Sequence, residues 1–265
     1  MNPTLDLPRL SRAALTAMEA AARDIAACQR TLAEIKTTIP AQLGVGADIE
    51  PWRHFPAEDI YDAASHAQYF YHRHEPAAPL DAPATREHGH FHTFLRPRGM
   101  ALGTRPLILP ELAIADAPAQ PAQPAMAPVP QPNQGAGNDK FSHLVAISID
   151  EAGRPIRLFT TNRWVTGETW YSAGDAIGML DRFRIESDAL SPVVHRWLNA
   201  LFRLYRTDMA ALLRARDETV MAWRRRHHRA KIHVFEDRRL EVTSALAIDL
   251  TDRVARITRV SENAA

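Results

Sequence analysis

Cysteine is almost absent from this chain of 265 residues, in which Cys28 is the single example. One thiol cannot form a disulfide within the chain, so burial of apolar side chains and hydrogen bonds must hold the fold together. Zinc knuckles built from several thiolates, and iron–sulfur clusters held by one chain, need more cysteines. Both kinds of site are therefore excluded for the chain acting alone.

Long apolar runs and an excess of charge are missing as well. No stretch approaches the roughly 18 apolar residues of a membrane-spanning helix, and the N-terminal MNPTLDLPRL lacks the pattern of a secretory signal. The formal net charge is +1, which gives no overall attraction to nucleic acid or to a membrane surface. We therefore expect a cytoplasmic protein with no membrane partner and with nucleic acid disfavoured as a partner.

Several familiar catalytic motifs are also absent. The sequence contains no P-loop, no dinucleotide-binding glycine fingerprint, no nucleophile elbow and no HExxH zinc motif. Any chemistry has to come from a less standard arrangement of side chains.

Apolar periodicity predicts a long N-terminal helix between residues 10 and 35. Ser11 can cap its start, and Pro40 would stop any continuation. Apolar residues at spacings of three and four share one face of this helix. They are Met18, Ala21, Ile25, Cys28, Leu32 and Ile35.

The later segments are predicted to form strands and helices that are grouped by type and do not alternate regularly along the chain. FSHLVAISID, the turn EAGRP and IRLFTTNRWV form a predicted hairpin, and KIHVFEDRRLEVTSALAID contributes one or two strands before a short terminal helix. Ser172 can cap a short helix through Phe183, and Ser191 with Pro192 begins a longer helix predicted to reach Arg226. This block order favours an α+β fold: an antiparallel β-sheet with the N-terminal helix and a C-terminal helical segment packed against it.

The domain organisation follows from composition. We predict a single α+β domain over residues 1–265, interrupted at 110–140 by a disordered low-complexity insertion rich in Pro, Ala and Gln. The termini, residues 1–8 and 261–265, are expected to be flexible.

Histidine is concentrated in one region, because seven of the twelve histidines fall between residues 54 and 92. Two short segments there, 66–74 and 88–95, are predicted to be extended. In a strand, side chains alternate between faces, so each segment would carry its histidines on one side and Tyr69, Tyr71 or Phe91 on the other. The histidines of these two rows are His66, His72, His74, His88, His90 and His92.

Paired as a hairpin, the two rows would bring imidazoles close enough to share a metal ion. Directly opposed Cβ atoms lie roughly 5 Å apart, and a ring nitrogen binds a metal at about 2 Å. We therefore predict a divalent transition metal (Zn, Fe, Ni or Cu) bound by these six histidines or a subset of them. A carboxylate could complete the shell, and the candidates are Glu87, Glu75, Asp59 and Asp62. Metal-free acid/base chemistry, phosphate binding and a purely structural role are the alternatives.

The string EHGHFH, with HAQYFYHRH before it and LFTTNRW after the insertion, resembles an uncharacterised family of bacterial proteins. That resemblance implies no activity. The histidine spacing is also similar to the His-x-His of cupins, but the cupin glutamate is missing because TFLR follows. The His-x-His of amidohydrolases would require a barrel that this block order does not supply.

Two further segments are candidates for binding. Asn162, Arg163 and Trp164 could orient a small-molecule substrate, or could simply mark the end of a strand. The basic segment 214–231 could contact nucleic acid, although its apolar residues favour a helix with a solvated basic face.

The leading functional hypothesis is a metal-dependent enzyme, of hydrolase or oxygenase type, acting on a small molecule. The alternatives are a non-catalytic metal-binding or sensing protein, and a nucleic-acid-associated protein using residues 214–231. The sequence gives no expectation for the oligomeric state.

Overall fold

The computed structural model describes residues 10–45, 51–73, 87–109, 140–229 and 232–263. The predicted insertion at 110–140 lies outside these ranges except for its last residue, as do residues 1–8 and His74. The described chain forms an antiparallel sheet with helices, so the α+β prediction is confirmed.

The sheet has six strands in the order of the sequence, each paired antiparallel with the next. This order is a meander, in which every strand lies beside its neighbours along the chain. The strands are β1 (Phe55–Tyr61), β2 (Ala67–His72), β3 (Gly89–Leu95), β4 (Ser142–Ile149), β5 (Pro155–Thr161) and β6 (Val242–Ala247).

The α-helices lie before β1, between β5 and β6, and after β6. They are α1 (Arg12–Glu34), α2 (Ile39–Gln42), α3 (Arg163–Thr166), α4 (Ala173–Leu180), α5 (Pro192–Leu204), α6 (Arg206–Arg226) and α7 (Leu250–Asn263). Helix α1 packs on α5 and α7, and α6 packs on α4, β5 and β6. Within the described ranges, no helix combines the length and the apolar content that crossing a membrane requires.

One face of the sheet forms the main hydrophobic core with the helices. Tyr69 and Tyr71 of β2 and Phe91 of β3 point to this face, where they join the apolar residues of α1 and α5. The Phe91 and Trp197 rings, for example, lie 5.8 Å apart. Because side chains alternate along a strand, the residues between these aromatics face the opposite side of the sheet.

The predicted N-terminal helix is confirmed. Helix α1 begins directly after Ser11, whose hydroxyl oxygen accepts a hydrogen bond from the Ala14 backbone N–H. The predicted apolar face is buried from Met18 to Leu32, whereas Ile35, just beyond the last turn, is exposed. This helix therefore docks on the protein's own core.

Three local predictions are corrected by the structure. The segment after Thr161 does not continue the strand, because the Asn162 side chain caps the short helix α3. The single long helix predicted from Ser191 to Arg226 is two helices, which meet at Tyr205. Strand β1 was not predicted, because prolines such as Pro51 and Pro56 are typical of irregular segments.

Helix α7 extends to Asn263, so residues 261–263 of the predicted flexible C-terminus are helical.

Candidate metal centre

The face of the sheet opposite the main core carries a row of histidines. His72 of β2 pairs directly with His90 of β3, and Phe70 pairs with His92. All three histidines point to the same side because His90 and His92 are two residues apart and His72 lies opposite His90. The alternation expected from the sequence is therefore present in both strands.

The three rings converge through their Nε2 atoms. The Nε2 atoms of His72 and His90 lie 2.7 Å apart, and those of His90 and His92 lie 3.2 Å apart. The side chains are almost completely buried, with His72 at 0%, His90 at 3% and His92 at 1% exposure. Such a group of three buried ring nitrogens could hold a metal ion.

These two separations, 2.7 and 3.2 Å, lie close to those of nitrogens around a common ion. Two imidazole nitrogens bound to zinc at about 2.05 Å lie about 3.3 Å apart in a tetrahedral shell and about 2.9 Å apart in an octahedral one. Each ring nitrogen carries either one proton or one lone pair. Hydrogen bonds among the three rings therefore cannot satisfy every close contact between their nitrogens. His90 Nε2 nevertheless contacts two other ring nitrogens, and a shared cation would satisfy all three together.

The Glu87 carboxylate contacts Nδ1 of His90, the ring nitrogen that does not join the group. The Nδ1 atom of His90 lies 2.7 Å from Glu87 Oε1. Burial acts to raise the pKa of Glu87, but hydrogen bonds from His90 and Ser148 and the nearby positive charges of His90 and Arg157 together hold that pKa below its usual value. An ionised Glu87 fixes the proton of His90 on Nδ1 and leaves the Nε2 lone pair available to a metal.

His92 is supported by a fourth histidine. Its Nδ1 lies 3.1 Å from His143 Nε2, and His143 Nδ1 lies 3.4 Å from the Thr161 hydroxyl. Burial, with the charges of Arg216 and His90, lowers the pKa of His143 to about 3, so the ring is neutral. A neutral His143 can accept the Nδ1 proton of His92, which again directs the Nε2 lone pair of His92 into the group.

Aromatic rings surround the three histidines. Ring centroids lie 5.1 Å apart for Phe70 and His92, 5.2 Å for Phe159 and His90, and 5.9 Å for Trp52 and His72. This apolar surrounding lowers the local dielectric and strengthens the attraction between the nitrogens and a cation.

Two of the predicted ligands lie outside this group. The Nδ1 atom of His66 lies 2.6 Å from the Tyr61 hydroxyl, in the turn between β1 and β2. His88 precedes β3 and does not follow its alternation, and its Nδ1 lies 2.7 Å from the Tyr71 hydroxyl. Two tyrosines therefore hold these rings apart from the other three.

Two of the carboxylates that could complete the shell have other partners. Asp62 caps the turn after β1 by accepting hydrogen bonds from the Ala64 and Ser65 backbone N–H groups. Asp59 lies 2.9 Å from the Nδ1 atom of His54. Glu75 lies outside the described residues.

The three predicted substrate-binding residues contact residues 234–240. Asn162 donates from Nδ2 to the Val234 carbonyl at 2.8 Å, and Trp164 donates from Nε1 to the Leu240 carbonyl at 2.9 Å. Arg163 pairs with Glu236. In this arrangement all three side chains attach α3 to the segment before β6.

The basic segment 214–231 covers the second half of α6 and the residues after it. Arg216 is 1% exposed, lies 4.1 Å above the Trp170 ring and donates to the Tyr171 carbonyl, so it belongs to the interior. Arg224, Arg225 and Arg226 form the last turn of the helix, where positive charge interacts favourably with the helix dipole.

The sequence did not assign a supporting role to Glu87 or to His143. A regular strand would have turned Glu87 away from His90, but the chain is irregular before Gly89. His143 is separated from His92 by 51 positions, so only the pairing of β3 with β4 brings them together. The single sequence signal for His143 was its position on a predicted strand.

The sequence matches a protein-family model over residues 19–248, which includes all six strands. The family carries the description Domain of unknown function (DUF6969). The chain belongs to this family. Membership in the DUF6969 family confirms the expected relation to a family without an assigned activity, and it transfers no reaction or cofactor. Comparisons with curated proteins and with solved structures give no match.

Proposed function

We propose that this DUF6969 protein binds one divalent transition metal ion through the Nε2 atoms of His72, His90 and His92, and acts as a metal-dependent enzyme on a small molecule. The observation that supports this is the convergence of three buried ring nitrogens with separations of 2.7 and 3.2 Å along the row. Glu87 and His143 act as hydrogen-bond acceptors that keep two of these nitrogens unprotonated.

The number of donors favours an enzyme over a storage or sensing protein. Within the described part of the chain, the group contains three protein donors. Catalytic zinc sites use three protein ligands and leave a position for water or substrate, whereas structural sites use four. When bound, the metal would polarise a substrate oxygen or activate a water molecule. The chain's own contribution is to hold the ion in a dry, aromatic-lined site.

The ligand type does not select one metal. Zinc, iron(II), nickel and copper all accept imidazole, so metal content has to be measured. The protein is purified without an affinity tag that binds metals, dialysed against each ion in turn, and analysed by elemental mass spectrometry. One equivalent of bound metal is expected.

Matched variants make this experiment specific. His72→Ala and His90→Ala should lose the metal, whereas His66→Ala and His88→Ala, which remove rings bonded to tyrosines, should retain it. Loss of metal from all four variants, or from none of them, would contradict the assignment.

The coordination number separates the two metal-binding hypotheses. Cobalt(II) is substituted for the native ion, and the intensity of its visible bands together with X-ray absorption gives the number of nitrogen donors. Three protein nitrogens plus an exchangeable ligand support an enzyme. A closed shell of four protein donors would instead support a non-catalytic metal-binding or sensing role.

A further inference from the structure

A fifth histidine, His54, lies beside the group, on the edge of the sheet. His54 directly precedes β1, whose first residue Phe55 pairs with Tyr71, so His54 lies next to His72. The His54 and His72 ring centroids are 6.4 Å apart and their planes are nearly perpendicular. His54 is also stacked on Phe70, with ring centroids 3.7 Å apart. The row of histidines therefore continues beyond the three proposed ligands.

A chain of polar side chains fixes the orientation of the His54 ring. Its Nδ1 lies 2.9 Å from Asp59 Oδ1, and the other Asp59 oxygen accepts a hydrogen bond from Gln68 Nε2 at 2.8 Å. Gln68 Oε1 in turn accepts from Arg96 Nε at 2.7 Å. Asp59, Gln68 and Arg96 are each at most 3% exposed. His54 is itself buried, so this network of buried hydrogen bonds holds its ring rigidly.

The backbone of β1 is irregular at Asp59, a member of this network. Pairing with β2 shifts register between Phe55 and Ile60, and Asp59 has a φ of 53°. A positive φ is unfavourable for a residue with a side chain, and such conformations concentrate at functional sites. Here the irregularity places the Asp59 carboxylate between His54 and Gln68.

The Nε2 atom of His54 is the ring nitrogen that Asp59 does not contact. Asp59 fixes Nδ1, and Nε2 makes no hydrogen bond with any residue in the described ranges. His54 is 8% exposed, whereas His72 beside it is fully buried. An oriented ring next to the three nitrogens, with one nitrogen still available, is suited to contact a small ligand.

We propose that His54 is a ligand-contacting residue of the metal centre, whose Nε2 accepts a hydrogen bond from the water or small proton-bearing ligand at the open coordination position. The inference rests on the proposed metal-binding function. Asp59, Gln68 and Arg96 are its positioning residues. With Nδ1 donating to Asp59, the Nε2 lone pair accepts a hydrogen bond from a bound water or from another bound ligand that carries an O–H or N–H group. The substrate class is accordingly a small oxygen- or nitrogen-donor ligand.

Nuclear magnetic resonance of the histidine rings tests this contact. The protein is labelled with nitrogen-15 in its histidines, loaded with zinc and titrated with sodium azide. The His54→Gln variant identifies the His54 resonances by their absence. Azide replaces the metal-bound water, so the Nε2 resonance of His54 should shift in proportion to azide saturation.

His195 is the internal control for the same spectra. Its ring lies on the opposite face of the sheet, where Nδ1 contacts the Ser187 carbonyl and Nε2 contacts the Tyr69 hydroxyl. Both of its resonances should remain in place during the titration.

The possible outcomes separate this inference from the proposed function. If azide shifts the rings of His72, His90 and His92 but leaves His54 unchanged, the inference is wrong and the metal site stands. If His54→Phe, with its fold retained, loses zinc, His54 is a metal ligand and the inference is also wrong. If zinc fails to shift the three ligand rings in the unmodified protein, the proposed function fails and the inference falls with it.

Discussion

His72 and His90 are directly opposed across β2 and β3, and their Nε2 atoms lie 2.7 Å apart in a site that is almost closed to solvent. Two buried imidazoles at this distance must share a proton or a cation, because both rings cannot present a lone pair to each other without repulsion. The metal-binding proposal depends on this pairing, and changes that disturb it should affect metal affinity before they affect the fold.

The close approach of β3 to β2 requires glycine at position 89. A Cβ atom there would overlap the His72 carbonyl oxygen and the Tyr71 hydroxyl. We expect Gly89→Ala to lower the free energy of unfolding by about 1–3 kcal/mol, as overpacking does, and to weaken metal binding. Urea unfolding and a metal titration measure the two effects.

Gly178→Ala in α4 is the matched control, since an added Cβ meets no atom within 4 Å. It should stabilise the protein by about 0.5–1 kcal/mol. Equal stability of Gly89→Ala and the unmodified protein would show that the two strands are farther apart than described.

Glu87, whose carboxylate contacts Nδ1 of His90, should increase the metal affinity of the site. Glu87→Gln replaces an ionised acceptor by a neutral amide, so it should weaken metal binding about 10- to 100-fold while the fold is kept. Competition with a chromophoric chelator measures the dissociation constant. Glu151→Gln, in the exposed turn after β4, should have no effect. Identical affinities in the two variants would remove Glu87 from the centre.

His143 should matter for both affinity and stability. His143→Phe leaves the buried Nδ1–H of His92 without its acceptor, which costs about 1–3 kcal/mol of unfolding free energy. Metal affinity should fall as well, because His92 is no longer held in the required tautomer. His143→Gln, whose amide oxygen can still accept, should lose less of both. A His143→Phe protein that binds metal as tightly as the unmodified chain would contradict this role.

A buried glutamate should make stability depend on pH. Burial raises the pKa of Glu168 from 4.5 to about 8, against the opposing effects of Arg216 and the His143 backbone N–H. Between these two values the folded protein holds a proton that the unfolded chain has released. The free energy of unfolding should therefore fall as pH rises through this window, by at most about 1.4 kcal/mol per pH unit.

Glu168→Gln removes the titrating group and should flatten this dependence. The variant should gain stability relative to the unmodified protein as pH increases from about 5 to about 8, as measured by urea unfolding at several pH values. Glu186→Gln, on the exposed surface, is the control and should keep the original slope. The same slope in Glu168→Gln would mean that Glu168 is ionised in the folded protein.

The fold class followed from local patterns because those patterns are set by neighbours along the chain. The spacing of apolar residues fixed α1 and its buried face, and alternation in HAQYFYHRH and EHGHFH placed His72, His90 and His92 on one side of their strands. Strand β1 was missed because Pro56 and the irregular pairing with β2 hide the strand pattern.

The identity of the histidines that meet was decided by tertiary structure. Local alternation treats His66, His72, His88 and His90 alike, yet only the register of β2 against β3 brings His72 opposite His90. Irregular backbone just before β3 turns His88 toward Tyr71 and Glu87 toward His90, and the pairing of β4 adds His143 from a distant position. Register and loop conformation arise from contacts between distant residues, so a local reading of the chain can supply the candidates but not their arrangement.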